Sequence, residues 1–158
     1  MLAHQTGRQF FDCDTVLVDE AGMSIKEIVE NRGWALFREM EQNILKRVSL
    51  LDGVVVATGG GVVIHNENVQ CMKKSGVVIW LQAETETIKK RIIQDRTTDS
   101  FRPSLSDKGV LKEIEETLES RLPLYTDAMD FYVQTDDGTV DSICSIIHEK
   151  LPRFVFPP

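Results

Sequence analysis

The chain has 158 residues, of which 42% are hydrophobic, and a formal net charge of −7 at pH 7. This length fits one domain with its own core, so residues 1–158 are expected to form a single domain. The acidic balance argues against a nucleic-acid binder, which needs a basic face. We find no signal segment and no bilayer-spanning apolar run, so no membrane association is expected. Cys13, Cys71 and Cys144 lack disulfide or zinc-ligand spacing and predict a reduced, cytoplasmic protein.

The first third of the chain predicts short elements followed by one long helix. In order, these are a helix end closed by Gly7, a strand at Phe10–Asp14, a helix at Thr15–Ala21 closed by Gly22, a helix that starts at a capping box Ser24–Glu27 and breaks at Gly33, and a helix at Trp34–Leu51. The last helix is amphipathic, with a buried side formed by Phe37, Met40, Ile44, Leu45 and Val48.

An apolar run at Val54–Thr58 ends in Gly59-Gly60-Gly61 and organises the chain. The run predicts a fully buried strand of a parallel sheet. Three glycines in a row favour a chain path or a close approach that a Cβ would forbid. Because open α/β sheets bind ligands at the carboxyl ends of their strands, this loop is a candidate ligand site. The alternative is a glycine-rich loop with no ligand.

The second half of the chain alternates further helices and strands. The predicted elements are a helix at Asn66–Lys74, a strand at Gly76–Leu81, a helix at Glu84–Gln94, a long polar loop at 95–109, a helix at Val110–Arg121 that ends before Pro123, a strand at Phe131–Val133 and a helix at Val140–Leu151. Four strands that alternate with helices predict an α/β fold with a mostly parallel sheet flanked by helices.

Two acidic residues close the first predicted strand. Asp12 and Asp14 lie two apart, so on a strand their side chains point to the same side. One of them is a candidate for holding Mg²⁺ through water, and the other for accepting hydrogen bonds from a substrate hydroxyl. The alternative is that Asp14 caps the following helix.

Several arginines are candidates for binding an anionic substrate. Arg38 and Glu41 lie three apart on the long helix, where an exposed ion pair is the simpler interpretation. Arg102 lies in the polar loop and Arg121 ends the charged helix. Lone arginines are usually surface residues, but three that converge on the glycine loop would clamp a carboxylate or phosphate.

Taken in order, these segments resemble shikimate kinases. The segments that carry the resemblance are Phe11-Asp12-Cys13-Asp14, Gly33-Trp34-Ala35-Leu36-Phe37-Arg38-Glu39-Met40-Glu41, Ala57-Thr58-Gly59-Gly60-Gly61, Arg102-Pro103 and Arg121-Leu122-Pro123-Leu124-Tyr125. The resemblance runs from Leu2 to about Leu151. It implies a P-loop kinase fold like that of nucleoside monophosphate kinases and ATP- and Mg²⁺-dependent phosphorylation of the shikimate 3-hydroxyl, towards chorismate and aromatic amino acids, by a monomer.

The resemblance also implies a role for individual residues. Shikimate would be bound by Asp14, Arg38, Gly60 and Arg121, with Gly59 and Gly61 framing the contact, within a substrate-binding segment at about 14–51. Asp14 would hold the ring hydroxyls and assist catalysis, the two arginines would bind the carboxylate, and Glu41 would orient Arg38. On the nucleotide side, Arg102 would be catalytic and would reach the ATP phosphates from a lid at about 95–109. Asp12 would lie near Mg²⁺ and contact it through water. Gly138 of Asp136-Asp137-Gly138 and Arg91 would lie near adenine.

One feature of shikimate kinases is absent from this sequence. No Gly-x-x-x-x-Gly-Lys-Ser/Thr motif occurs, and Lys74-Ser75 lacks the required glycines. We therefore expect the first, central strand and its P-loop to be missing, which leaves open edges on the strands at Val54–Thr58 and Val77–Leu81 unless these two pair in a compressed sheet. Two other functions stay open: a non-catalytic shikimate-binding fragment or paralogue without ATP binding, and a kinase of another small polyol such as gluconate.

Overall fold

The computed structural model describes residues 1–94 and 110–152. Each predicted strand is present there, although the bounds differ. The strands are β1 (Gln9–Asp12), β2 (Val54–Ala57), β3 (Ile79–Gln82) and β4 (Phe131–Gln134). The helices are α1 (Leu2–Gln5), α2 (Cys13–Ala21), α3 (Ile25–Val48), α4 (Asn66–Ser75), α5 (Thr85–Gln94), α6 (Val110–Ala128) and α7 (Val140–Lys150), with a 3₁₀ helix at Val62–Ile64.

The strands form two separate parallel pairs. β1 pairs with β2, and β3 pairs with β4. The prediction of parallel strands flanked by helices is confirmed, and within the described residues the four strands form two pairs. β2 and β3 do not pair with each other there, so the compressed sheet is not formed.

Each strand pair packs on its own apolar core. The larger core includes Leu17, Ile25 and Ile28, each 1% exposed, and reaches the first pair through partly buried Phe11 and Val56. The smaller core lies under the second pair and contains Phe131, Val133 and Ile147. Both pairs therefore bury apolar area without bringing β2 against β3.

The start and the break of α3 follow the sequence prediction. The Ser24 hydroxyl accepts the Glu27 amide, and the Glu27 carboxylate accepts the Ser24 amide in return. Gly33 interrupts the helix with φ 81° and ψ 166°, a backbone conformation that L-residues with a Cβ rarely adopt. The capping box and the break at Gly33 are both confirmed. The break sets the direction of the part of α3 that carries Arg38 and Glu41.

Two of the boundaries that differ from the prediction bear on the candidate site. The first strand ends at Asp12 rather than Asp14, because Asp12 caps α2 and Cys13 already belongs to that helix. The charged helix does not end before Pro123 but continues to Ala128. Its last turns are held from outside the helix by the Tyr125 side chain, which contacts the glycine loop and Trp80. Tertiary contacts there offset the backbone bond that proline cannot make.

No helix in the described part of the chain is both long and apolar enough to cross a membrane. The three cysteines are free, with Cys13 and Cys144 buried and Cys71 partly buried. The cytoplasmic location that the cysteine spacing suggests stays a prediction.

Candidate active site

Each of the three glycines after β2 leaves room for one side chain from a different helix. A Cβ on Gly59 would lie 3.2 Å from Asp14 Oδ1, and a Cβ on Gly60 would lie 3.0 Å from the Tyr125 hydroxyl. A Cβ on Gly61 would overlap the Arg38 guanidinium, at 2.7 Å from its Cζ. The glycines therefore permit close approach of a carboxylate, a phenol and a guanidinium to one backbone turn.

Backbone and side-chain hydrogen bonds hold the glycine turn at its carboxyl end. The Val62 amide donates to the Gly59 carbonyl at 3.1 Å and starts the 3₁₀ helix. The Asn68 side-chain amide donates to the Val62 carbonyl, also at 3.1 Å, although Asn68 is only 1% exposed. Asn68 has no motif around it, and sequence reasoning missed it. This buried bond holds the loop in one conformation.

Arg38 and Glu41 form a largely buried ion pair rather than an exposed one. Arg38 Nη1 donates to both carboxylate oxygens of Glu41, at 2.8 and 2.7 Å. The two side chains are 16% and 4% exposed, so the simpler surface interpretation is wrong. Nη2 makes no hydrogen bond to any residue in the ranges 1–94 and 110–152. One edge of the guanidinium is thus held by Glu41, and another can meet an anion.

Aromatic rings lie around the Arg38 guanidinium. Its Cζ is 4.8 Å from the centre of the Phe37 ring and 5.4 Å from the centre of the Trp34 ring. Cation–π contacts of this kind favour the charge and restrict the side chain. An open cavity of about 830 Å³ lies on this side, between Trp34 and Arg38 of α3 and His65 and Glu67 near the start of α4. Arg38 is therefore reached from solvent through an open space.

The two aspartates have different positions from those predicted. Asp12 Oδ1 accepts the backbone amides of Asp14 and Thr15 at 3.0 and 3.2 Å and caps α2. The alternative that Asp14 is the cap is therefore wrong, and so is the argument that both acids point the same way from a strand. Asp14 stands in the first turn of α2, and its carboxylate faces Gly59.

The thiol between these aspartates is not a reactive group. Burial, with smaller contributions from the negative charges of Asp14, Asp12 and Glu41, raises the pKa of Cys13 to about 12. A thiol with this pKa stays protonated at neutral pH.

Tyr125 is a site residue that sequence reasoning missed as such. Its hydroxyl donates to the Gly60 carbonyl at 2.9 Å, and its ring stacks on Trp80 with centroids 5.6 Å apart. Arg121 precedes Tyr125 by four residues and so lies on the same face of α6, one turn away. The i, i+4 spacing to Arg121 was the available signal. The bond between Tyr125 and Gly60 shows that this face of α6 is turned towards the glycine loop.

Arg91 and Asp136, which are predicted on the nucleotide side, lie near the second strand pair, β3 and β4. Their polar groups are already hydrogen-bonded to other protein groups. Arg91 donates to the Thr135 hydroxyl at 2.9 Å and also to the Thr135 carbonyl. Asp136 Oδ1 accepts the Glu84 amide at 3.0 Å, just before α5. The Thr87 hydroxyl, which bonds the same carboxylate, lowers its pKa below the usual value, with smaller contributions from the Glu84 amide and Gln134.

Other predicted residues on the nucleotide side are less defined. A Cβ on Gly138 would lie 3.0 Å from Ile143 Cγ1, so this glycine allows the loop to pack on α7. Arg102 and the predicted lid at 95–109 lie outside the described residues. No group of three or more metal-ligating side chains occurs within the described part of the chain. Among the described residues, Asp12 is therefore a candidate carboxylate for Mg²⁺ outside any such group.

Comparison with known proteins gives a consistent result. The model of the family described as "Shikimate kinase" matches residues 1–152. The chain belongs to the shikimate kinase family. A shikimate kinase of Caldicellulosiruptor bescii is 38% identical over 136 residues, which are 86% of this chain and 76% of the relative. A shikimate kinase of Syntrophus aciditrophicus is 35% identical, covering 97% of this chain and 81% of the relative.

The fold agrees with the family. A solved shikimate kinase from Acinetobacter baumannii, in complex with shikimate, superposes with a TM-score of 0.84 at 27% identity, covering 98% of this chain and 82% of that one. A Bacteroides thetaiotaomicron shikimate kinase gives 0.81 at 25% identity. The chain is thus a shikimate kinase, a phosphotransferase acting on an alcohol group, with the parallel α/β fold of that family. Between the two kinase hypotheses, the family decides for shikimate kinase over a kinase of gluconate.

Proposed function

We propose that this chain binds shikimate at the glycine loop and phosphorylates its 3-hydroxyl with ATP, on the route to chorismate. The observation that carries the proposal is the convergence of Asp14 and Arg38 on Gly59 and Gly61. The Acinetobacter baumannii relative, which superposes on 98% of this chain, was solved in complex with shikimate. A carboxylate and a guanidinium on one turn suit a ligand that carries both hydroxyls and a carboxylate.

Arg38 and Arg121 are proposed to bind the shikimate carboxylate. Glu41 holds Nη1 of Arg38, and Nη2 is the group proposed to donate to the carboxylate. Arg121 lies on the helix face that contacts the glycine loop through Tyr125. Two guanidinium groups held by separate helices would fix the ring plane as well as its charge.

Asp14 is proposed to bind the ring hydroxyls and to assist the attack. Its carboxylate accepts hydrogen bonds from a hydroxyl and can take the hydroxyl proton as the oxygen attacks. Its position in the first turn of α2 places the carboxylate near the positive backbone partial charge at the start of the helix. Gly60, which is exposed, would contact the substrate through its backbone, with Gly59 and Gly61 framing that contact. The main contribution of these residues is positioning.

The residues of this chain fit ATP and Mg²⁺ only in part. Asp12 uses Oδ1 to cap α2, and its other oxygen suits the water-mediated contact that Mg²⁺ commonly makes. Residues 1–158 contain no Gly-x-x-x-x-Gly-Lys-Ser/Thr sequence, so we assign no phosphate cradle here. When bound, ATP supplies the phosphoryl group. Arg102, Arg91 and Gly138 remain proposed nucleotide-side residues.

The test is a shikimate titration by calorimetry, followed by measurement of ADP release with MgATP. We expect Arg121→Ala to weaken shikimate binding roughly 10- to 100-fold, because hydrogen bonds to charged groups contribute about 1.5–3 kcal/mol. Arg47→Ala is the matched control, since Arg47 pairs with Glu20 on the surface, where both side chains are exposed. Equal affinities in wild type and Arg121→Ala would contradict the carboxylate assignment.

The non-catalytic alternative makes a distinct prediction in the same experiments. A chain that only binds shikimate would show the titration heat and its loss in Arg121→Ala, but no shikimate-dependent ADP release. Release that depends on shikimate and disappears in Arg121→Ala establishes the kinase activity of this chain and excludes a contaminating host enzyme.

A further inference from the structure

We infer that Tyr125 is a positioning residue for substrate binding, which acts by holding the peptide between Gly60 and Gly61. The inference rests on the proposed function, because it concerns the loop at which shikimate is proposed to bind. Tyr125 does not need to touch the substrate for this role. Its hydroxyl bonds the backbone carbonyl of Gly60 at 2.9 Å.

The bond to the Gly60 carbonyl fixes a whole peptide unit. Because the peptide group is planar and trans, the Gly60 carbonyl and the Gly61 amide point in opposite directions. Holding the carbonyl towards α6 therefore aims the Gly61 amide away from α6. Three consecutive glycines have more backbone freedom than any other run, so a loop of this composition needs an external contact to keep one conformation.

The hydroxyl is itself held in place by its ring. The Tyr125 ring stacks on Trp80 at 5.6 Å between centroids, with 28° between the planes. Trp80 lies in β3, opposite Tyr132 of β4. The contact therefore connects the second strand pair, through Tyr125, to the loop that follows the first pair. It also sets the distance between the glycine loop and the turn of α6 that carries Arg121.

The identity of residue 60 supports this role. A Cβ at position 60 would lie 3.0 Å from the Tyr125 hydroxyl, which is tighter than ordinary van der Waals contact. A side chain there would push the hydroxyl away from the carbonyl that it bonds. Glycine at 60 and tyrosine at 125 are thus matched to each other, which makes the pair accessible to a double-mutant cycle.

The first variant is Tyr125→Phe, which keeps the ring on Trp80 and removes the hydroxyl. The matched control is Tyr132→Phe, because the Tyr132 ring is also near Trp80, at 6.5 Å, while its hydroxyl bonds no described residue. We expect Tyr125→Phe to bind shikimate roughly three- to tenfold more weakly, since a neutral hydrogen bond is worth about 0.5–1.5 kcal/mol. Tyr132→Phe should bind like the wild type.

Two further readouts separate positioning from a general structural role. Amide hydrogen exchange of the ligand-free protein should speed up in Tyr125→Phe at Gly60, Gly61 and Val62, and elsewhere remain at wild-type rates. In the double-mutant cycle, Gly60→Ala should weaken binding much less in the Tyr125→Phe background than in the wild type, because phenylalanine lacks the hydroxyl that the new methyl group would meet.

The outcomes are distinguishable from those of the proposed function. If the wild type fails to bind shikimate, the proposed function is wrong, while exchange in the ligand-free protein still decides whether Tyr125 orders the loop. If the wild type binds and Tyr125→Phe binds equally well, with unchanged exchange at the glycine loop, the inference is overturned. Additive effects of Gly60→Ala and Tyr125→Phe would also overturn it.

Discussion

The two strand pairs hold their polar groups in different ways. Around the glycine loop after β2, side chains from separate helices meet one turn, and glycines leave them room: Asp14 at Gly59, Tyr125 at Gly60 and Arg38 at Gly61. Around β3 and β4, the polar groups are bonded to their own loop: Arg91 to Thr135, and Asp136 to the amide of Glu84. The first region is the proposed ligand site, whereas the polar groups of the second region are bonded to their own backbone.

The polar side chains that are held in place before ligand binding lie around the glycine loop. At the glycine loop, Glu41 and Asn68 are buried and hold Arg38 and the turn before any ligand arrives. Groups held in place by buried partners lose little entropy on binding. At the second region the same kinds of bonds cap a helix and close a loop. We therefore expect changes in the first region to affect shikimate binding and changes in the second to affect stability.

The largest effect on binding is expected from Gly61→Ala. The new methyl group would overlap the Arg38 guanidinium, whereas the backbone at Gly61, with φ −83°, accepts alanine without strain. Arg38 must move, and shikimate affinity measured by calorimetry should fall about 100-fold, as for loss of a charge-assisted contact. Gly76→Ala is the control, because a Cβ at Gly76 meets nothing within 4 Å. Comparable affinities in Gly61→Ala and Gly76→Ala would show that shikimate binding does not depend on the space that Gly61 leaves for Arg38.

Glu41→Ala should affect both binding and stability. Arg38, which is 16% exposed, would lose the partner of Nη1. We expect the free energy of unfolding in urea to fall by about 1.5–3 kcal/mol, and shikimate affinity to fall with it. Glu20→Ala removes the partner of Arg47 from an exposed pair and should change neither quantity measurably. A variant at Glu41 that binds shikimate normally would show that Arg38 does not depend on this carboxylate for its position.

Asp136→Ala tests the second region, where we expect a change in stability and none in binding. Loss of the bond to the Glu84 amide should lower the Tm by about 2–4 °C, as for loss of a helix cap in a chain of this size. Shikimate affinity should stay at the wild-type value. Asp137→Ala is the control, because Asp137 is exposed and caps no helix.

The pH dependence of the stability contributed by Asp136 gives a second check. The pKa of Asp136 lies below its usual value because the carboxylate is hydrogen-bonded, chiefly by Thr87. Its contribution to stability is therefore present above the usual aspartate pKa and is lost as the pH falls through the lowered pKa. The Tm difference between wild type and Asp136→Ala should shrink on acidification. A difference that grows at low pH would contradict the assignment.

The last prediction concerns stability at alkaline pH and depends on Cys13. Its pKa of about 12 exceeds the ordinary value of 9.0 for the thiol. The stabilising contribution is therefore full below pH 9 and is lost as the pH rises towards 12. At pH 8, a thiol reagent should label Cys71 in the native protein, while Cys13 reacts only in denaturant. Rapid native labelling of Cys13, identified by mass spectrometry, would show that it is not buried as described.

The local signals in the sequence were sufficient for much of the first region. The capping box at Ser24, the break at Gly33 and the glycine turn depend on backbone preferences that are visible in a few adjacent residues. The pairing of Arg38 with Glu41 was suggested by helical spacing, but its burial depends on how α3 packs. Sequence alone therefore favoured an exposed pair, and the structure shows the opposite.

The errors arose where tertiary contacts override local rules. Proline predicted a helix end near Pro123, yet contacts of Tyr125 with Gly60 and Trp80 carry α6 to Ala128. The strand argument for Asp12 and Asp14 failed because α2 begins one residue after Asp12. Asn68 acts through a carbonyl six residues away, and such a partner has no sequence signature.

The most direct test of the central claim is an amide chemical-shift map of the ¹⁵N-labelled protein during a shikimate titration. The account predicts that the largest shifts occur at Gly59, Gly60 and Gly61 and at the Trp34 indole N–H, which lies beside Arg38. Amides from Thr135 to Gly138 should stay nearly unchanged. Shifts concentrated at Thr135–Gly138, with the glycine loop unaffected, would contradict the claim that the glycine loop is the shikimate site.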